Sequence, residues 1–353
     1  MDPAFRSLFE EQIRFRLSDG TDVEGGVFIG STEFFPVKTL LADPDAYREE
    51  FDLWLSEVWK PEQEERRDAI LALYANAKRY ADLIAAVERQ QVVPFVGSGM
   101  SVPSGLPTWS DLLRKIRDFT KIGAAELEKL FCSSLFEEAA DLLASGTNPR
   151  LLDERVEHEL RIDDPLIITG AVRLLPGLFP NLVITTNLDN VLEYRYTHCD
   201  KSFAHVLPGS ELARYRSLKN PNLRFLLKLH GDCRRMESRV LLTSEYEAAY
   251  AKGGTVREEL ALVYRFNNLL FLGCSLGSDR TVRLIEEIAS ADPSMPKHYA
   301  FLACPEDDMR RIERENFLTE RGIYPICYKA THDESITALL DGLFCVASGG
   351  GLR

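Results

Sequence analysis

The seven cysteines of this 353-residue chain include no pair in a CxxC spacing, and their number is odd. Both facts argue against a disulfide framework and against a zinc ribbon. Several cysteines lie within apolar runs, such as "FLGCSL" and "PICYK", where a reduced thiol serves as a small hydrophobe. A reducing, cytoplasmic setting is the expectation. No apolar run approaches the roughly 20 residues of a membrane span, and the leading "MDPAFRSLFEEQIRFR" is too polar for a secretion signal. Positive charge is also scarce: 42 Lys and Arg stand against 55 Asp and Glu, a net charge of −13. Direct nucleic-acid binding is therefore not expected, since it usually requires a basic excess. Three catalytic signatures are missing as well. The glycine loop lacks GK[ST]; Ile162 occupies the second ligand position after His158 and Glu159, which breaks HExxH; and there is no GxSxG elbow.

What remains is an ordinary globular composition, 45% hydrophobic and 27% charged. Residues 1–62 read as an N-terminal extension of unassigned role. It has two short strands in "QIRFRLSDGTDVEGGVFIG" and an amphipathic helix in "DPDAYREEFDLWLSEVW". From Glu64 to Gln90, apolar residues at helical spacing (Ile70, Leu73, Ala77, Tyr80, Leu83, Ile84, Val87) predict one long helix. Strands are predicted at 92–96, 182–186, 224–229, 269–273, 299–303 and 324–328, with helical segments between most of them. This alternation predicts a Rossmann-like α/β fold, a doubly wound parallel sheet covered on both faces. The gap at about 110–180 reads as a helical insertion, and residues 348–353 as a tail.

In such sheets ligands bind beyond the carboxyl ends of the strands, and four polar clusters fall there. "VGSGMS" places Gly97, Ser98, Gly99 and Ser101 after the first strand of the sheet. Glycines let a backbone approach a pyrophosphate, although Val102 stands where GxGxxG needs its third glycine. "VITTNLDN" places Thr186, Asn187 and Asp189 after the second; Asp189 or Asn190 could equally cap the next helix. "LKLHGD" puts His230, a side chain that titrates near neutrality, at a third strand end. "FLGCSLGSD" supplies Gly273, Ser275 and Asp279 at a fourth.

Taken in order, "VGSGMSVPSGLPTWSDLL", "VITTNLDNVLE", "LKLHGD" with "VLLTSEYEAAY", and "LLFLGCSLGSD" resemble the motifs of the sirtuin (silent information regulator) superfamily over about residues 90–345. Ser98 replaces the alanine of its glycine-alanine-glycine loop and Cys274 the threonine of its glycine-threonine-serine loop. The four-cysteine zinc ribbon of the deacylases has no counterpart beyond Cys233. The resemblance is closest to the zinc-less bacterial branch of anti-phage effectors that hydrolyse NAD+. It implies that residues 63–347 form an NAD-binding catalytic domain with NAD+ as substrate and no zinc. In the same terms, Gly97, Ser98, Gly99 and Ser101 hold the diphosphate, with Thr186 also in the NAD pocket. Gly273 and Ser275 hold the adenosine side, and Asp279 also lies in the NAD pocket. Asp189 takes the carboxamide, Asn187 the nicotinamide ribose and attacking water, and His230 accepts a proton. It also implies control by assembly, as a homo-oligomer or with a defence partner such as a translocase-like ATPase or an Argonaute-type protein. Two rival readings share the pocket: an NAD-dependent protein deacylase and a non-catalytic NAD or ADP-ribose sensor. A dehydrogenase fits less well, because GxGxxG is broken.

Overall fold

Successive residues of a strand face opposite sides of a sheet, and here both sets are apolar. Val93 and Phe95 join one hydrophobic core while Val96 joins the other, and Leu269 and Phe271 part from Leu270 and Leu272 in the same way. A strand with two apolar faces must be covered on both. In this computed structural model the sheet is so covered. The structure describes residues 5–6, 8–10, 12–13, 27–29, 32–34, 40–163, 168–218, 220, 222–277, 280–292 and 295–347.

The sheet comprises β3 (Val92–Val96), β4 (Leu182–Thr185), β5 (His205–Pro208), β6 (Phe225–Lys228), β7 (Asn268–Leu272), β8 (His298–Ala303) and β9 (Ile323–Tyr328). All seven are parallel, in the order β5-β6-β4-β3-β7-β8-β9. The chain builds outward from β3 to one side, then returns to β7 on the other. The switch point thus lies between β3 and β7, where a doubly wound sheet opens its ligand crevice. The predicted strands match within a residue or two. β5 was not foreseen: "HVLP" is short, and its Pro208 suits only an edge.

A separate antiparallel hairpin, β1 (Val27–Ile29) and β2 (Thr32–Phe34), lies in the N-terminal segment. Only part of the predicted strand pair falls on described residues. α1 (Pro44–Trp54) continues through a π-helical stretch, Leu55–Trp59, into α2 (Lys60–Leu71). The single long helix expected over 64–90 is instead broken between α2 and α3 (Asn76–Glu88). The break is held by the buried Asn76. Its Nδ2 donates to the carbonyls of Ile70 (2.7 Å) and Cys327 (2.8 Å), and its Oδ1 accepts from Cys327 N (3.1 Å). Side-chain bonds of this kind compete with continuation of the helix.

The expected insertion is helical: α4 (Trp109–Arg117), α5 (Ala124–Cys132), α6 (Phe136–Ser145), α7 (Pro149–Leu160) and, beyond a 3-10 turn, the short α8 (Leu175–Leu178). Its first four helices share a hydrophobic core that also takes in Leu188, Cys233 and Leu241 from the sheet side. α9 (Val191–His198) and α10 (Tyr215–Leu218) follow β4 and β5. α11 (Thr243–Tyr250) and α12 (Thr255–Phe266) lead into β7. α13 (Arg280–Ala291), α14 (Asp308–Thr319) and α15 (His332–Ala347) complete the chain. The N-terminal aromatics pack on α15. Phe5 lies edge-on to Phe344 at 5.2 Å and to Trp59 at 6.1 Å, and Trp59 Nε1 donates to Asp341 at 2.7 Å.

Candidate active site

At the switch point the loops after β3 and β7 press directly on one another. A Cβ on Gly97 would lie 2.5 Å from the Gly273 carbonyl oxygen, and one on Gly273 would lie 2.5 Å from Met100 N. Gly273 also has φ +65, a left-handed conformation costly for other residues. The glycines are therefore required first by the protein itself. The amides are largely committed too: Gly97 N donates to Leu272 O (2.8 Å), Gly99 N to Gly273 O (3.0 Å), Met100 N to Gly97 O (3.1 Å) and Ser101 N to Ser98 O (2.9 Å). Ser98 is half-buried, at the start of a 3-10 turn.

The end of β4 joins this loop through side chains. Thr185 Oγ1 donates to Val96 O (2.8 Å) and accepts from Asn187 N (2.9 Å), which sets the exit of the strand. Asn187 Nδ2 donates to Ser101 Oγ (3.2 Å), and Ser101 Oγ donates to Asp189 Oδ2 (2.8 Å). All three side chains are buried. Asp189 Oδ1 also accepts from Val191 N (3.1 Å), so a helix-start bond coexists with the bond from Ser101. Asn190 instead pairs with both backbone groups of Ile162 at 2.8 Å. Between Asn187 and Asp189, Leu188 enters the core of the insertion. Thr186 is half-buried and its amide lies 3.4 Å from Val96 O.

β6 neighbours β4, with Thr185 opposite Lys228. Asn187 and His230 thus stand two residues beyond paired positions on strands about 4.8 Å apart. Gly231 turns the chain with φ +87, and a side chain there would collide with the Ser238 carbonyl. His230 Nε2 pairs with Tyr250 OH at 2.8 Å, and Tyr250 OH with Thr281 Oγ1 at 2.8 Å. Beneath the turn, Lys228 is fully buried. Its Nζ donates to Asp189 O (2.6 Å), Leu188 O (3.3 Å), Glu193 (2.8 Å) and Asp232 (3.0 Å). One ammonium therefore spans the His230 turn and holds the Asn187–Asp189 loop against it.

Burial governs the charges. It raises the Asp189 carboxyl to about 6 against the opposing pull of Lys228. It lowers the His230 imidazole to about 4, leaving the ring neutral near pH 7. Burial works against the Asp232 carboxylate too, yet Arg234 and Lys228 hold it far below the usual range. Lys228, opposed by burial, is kept protonated by Glu193 and Asp232. The Cys233 thiol is pushed up to about 12, chiefly by burial.

Open space is found on the other side of the switch point. A cavity of about 290 Å³ is lined by Gly273, Cys274, Ser275, Arg311, Arg314 and His332 among others. Of the predicted site residues it reaches Gly273 and the exposed Ser275, but not Asn187, Asp189 or His230. Asp279 lies outside the described residues. Sequence reasoning missed Lys228, Tyr250 and Thr281. The Lys-x-x-x-Asp spacing across the histidine turn was a readable signal for the first; the other two meet His230 only through the fold. Among the described residues no helix is long and apolar enough to cross a membrane.

Residues 181–326 match the SIR2-like domain. The chain is 23% identical over 256 residues to the NAD(+) hydrolase ThsA of Enterococcus faecium, a match that covers 70% of this chain and 48% of ThsA. The chain thus spans about half the length of the curated relative it matches. β4, β6 and β7 and their Asn187, His230 and Gly273 loops all lie inside the segment that is similar to the SIR2-like domain.

Proposed function

We propose that the chain is an NAD+ hydrolase that releases nicotinamide and ADP-ribose. The observation that carries this reading is the buried Asn187–Ser101–Asp189 chain facing the neighbouring strand end that presents His230. Nicotinamide is already a cationic leaving group in NAD+, so its departure needs no acid. The glycosidic bond breaks with its electron pair passing to the pyridine ring, and the sugar carbon develops oxocarbenium character as in other glycosyl transfers. Asn187 orients the ribose and the incoming water, and Asp189 holds the carboxamide. Water bonds to the sugar carbon and gives up a proton to the neutral His230 ring. Tyr250 fixes that ring's orientation, a second-sphere bond of the kind that decides which nitrogen accepts. Gly97, Ser98, Gly99 and Thr186 border the dinucleotide, and Gly273 and Ser275 its adenosine end. Ser101 leaves the diphosphate set of the sequence reading, because its hydroxyl already joins Asn187 to Asp189.

The similarity to ThsA supports the reaction, and the SIR2-like domain supports the pocket. In the same reading the enzyme depletes NAD+ during infection and is restrained until a homo-oligomer or a partner protein completes it. The test is incubation with NAD+, alone and with the products of neighbouring genes, while nicotinamide and ADP-ribose are followed. Asn187→Ala and His230→Ala should each lower release at least about 100-fold, the scale of a lost base or positioning group, with folded circular dichroism spectra. Full activity in both variants overturns the assignment.

A further inference from the structure

We propose that His332, the first residue of α15, is a phosphate-binding side chain of the nucleotide pocket and donates from Nε2 to the diphosphate of the dinucleotide. The inference rests on the hydrolase reading for the identity of the ligand and on geometry for the residue. A Cβ built on Gly99 would lie 2.9 Å from His332 Nε2, so the ring edge faces the glycine loop itself. The same ring lines the cavity beside Gly273, Cys274 and Ser275. Its other nitrogen, Nδ1, is paired with Tyr328 OH.

The need for such a donor follows from the loop. With the amides of Gly97, Gly99, Met100 and Ser101 bonded within the protein, the usual backbone cradle for phosphate is largely taken up. Side-chain donors therefore add to what the loop retains. The other charged groups around the cavity have visible tasks. Arg311 binds Asp308 and Glu315 and stacks at 4.0 Å over Tyr74. Arg314 donates to the Ser275 carbonyl, and Glu315 also holds Arg79. Asp333, next to His332, turns its carboxylate to Ala171 N at 2.8 Å. Burial lowers the basicity of the His332 ring, with Asp333 acting the other way, so the ring is mainly neutral at pH 7. When Tyr328 donates to Nδ1, the proton of the neutral ring sits on Nε2 and faces the loop. The ring is then a donor without being a cation.

Binding should be measured on the intact chain by titration calorimetry with two probes, ADP-ribose and adenosine, which differ in the diphosphate. His332→Ala should weaken ADP-ribose about tenfold or more, the scale of one hydrogen bond to a charged group, and leave adenosine within about twofold. KM for NAD+ should rise by a similar factor with kcat nearly unchanged. His332→Gln, which restores an N–H near the Nε2 position, should recover much of the loss. Equal weakening of both probes, or of neither, overturns the proposal. So does an unrestored His332→Gln variant that is folded. If the unaltered chain binds adenosine but not ADP-ribose, the phosphate site falls and the pocket survives. If it binds neither probe and releases no nicotinamide, the hydrolase reading falls, and the His332 proposal with it.

Discussion

The carboxyl edge of the sheet has two halves of opposite character. After β4 and β6 the side chains are buried and bonded to one another: Asn187 to Ser101, Ser101 to Asp189, Lys228 to the Asp189 carbonyl and to Asp232. After β7 and β9 there is open volume, an exposed Ser275 and a histidine at the rim. The difference teaches where precision is stored. Groups proposed to meet a reacting atom must be held in place before it arrives, and the polar network already fixes Asn187 and Asp189. In the proposed reading the adenosine end has only to admit and retain a large group, which an open cavity does.

Breaking the closed half should cost most. Lys228→Met leaves the buried Asp232 and the half-buried Glu193 with Arg234 as their remaining shared cation and frees the carbonyls of Leu188 and Asp189. A loss of about 3–5 kcal/mol in denaturant unfolding is expected. In the fraction that remains folded, kcat for nicotinamide release should fall at least about tenfold with little change in KM. An unchanged kcat would show that the clamp is only structural.

A second effect concerns acid. Asp189, raised to about 6, is protonated as pH falls below that value, so kcat/KM should decline on an acid limb near pH 6. Asp189→Asn should abolish the limb and lower the plateau. An acid limb that persists unaltered in the variant would assign it elsewhere.

The stability consequences of the two titrating groups run in opposite directions. His230 has a folded value near 4, below its unfolded value of about 6.5. Between these, the unfolded state binds more protons, so the stability His230 contributes at neutral pH is lost as pH falls from 6.5 towards 4. Asp189 is raised, so between about 6 and 4 the folded state binds more protons and acid favours it. His230→Ala should therefore lose less stability than the unaltered chain on going from pH 7 to pH 4, by a few degrees in Tm. A larger acid loss in the variant would reverse this account. The smallest effect is expected in the open half. Ser275→Ala removes one exposed hydroxyl and should change KM less than about threefold, since exposed substitutions are usually mild.

The sheet was legible in the sequence because strands buried on both faces read as apolar runs, and six of its seven were placed. β5 was hidden because an edge strand of four residues carries little pattern. The break at Asn76 was hidden because its cause is a strand 251 residues away. In the site, the strand-end motifs were visible as residue types, and Asn187 and Asp189 do meet through Ser101. The role of Ser101 was not visible: only the approach of the β3 loop to β4 turns its hydroxyl from a phosphate to a carboxylate. Tyr250 was equally silent, since nothing in "EYEAAY" says which tyrosine reaches the histidine.

The interlock of Gly97 with Gly273 has one more outcome. The obstacle to a side chain at either position is mostly the main chain of the other loop, with the Cys274 thiol also in the way at Gly97 and the Met100 side chain at Gly273. Trimming a neighbouring residue cannot move a peptide group, so no compensating change elsewhere makes room. Side chains at the rim can be exchanged one by one, each with its own effect on binding, but the seam between the two loops is fixed hardware.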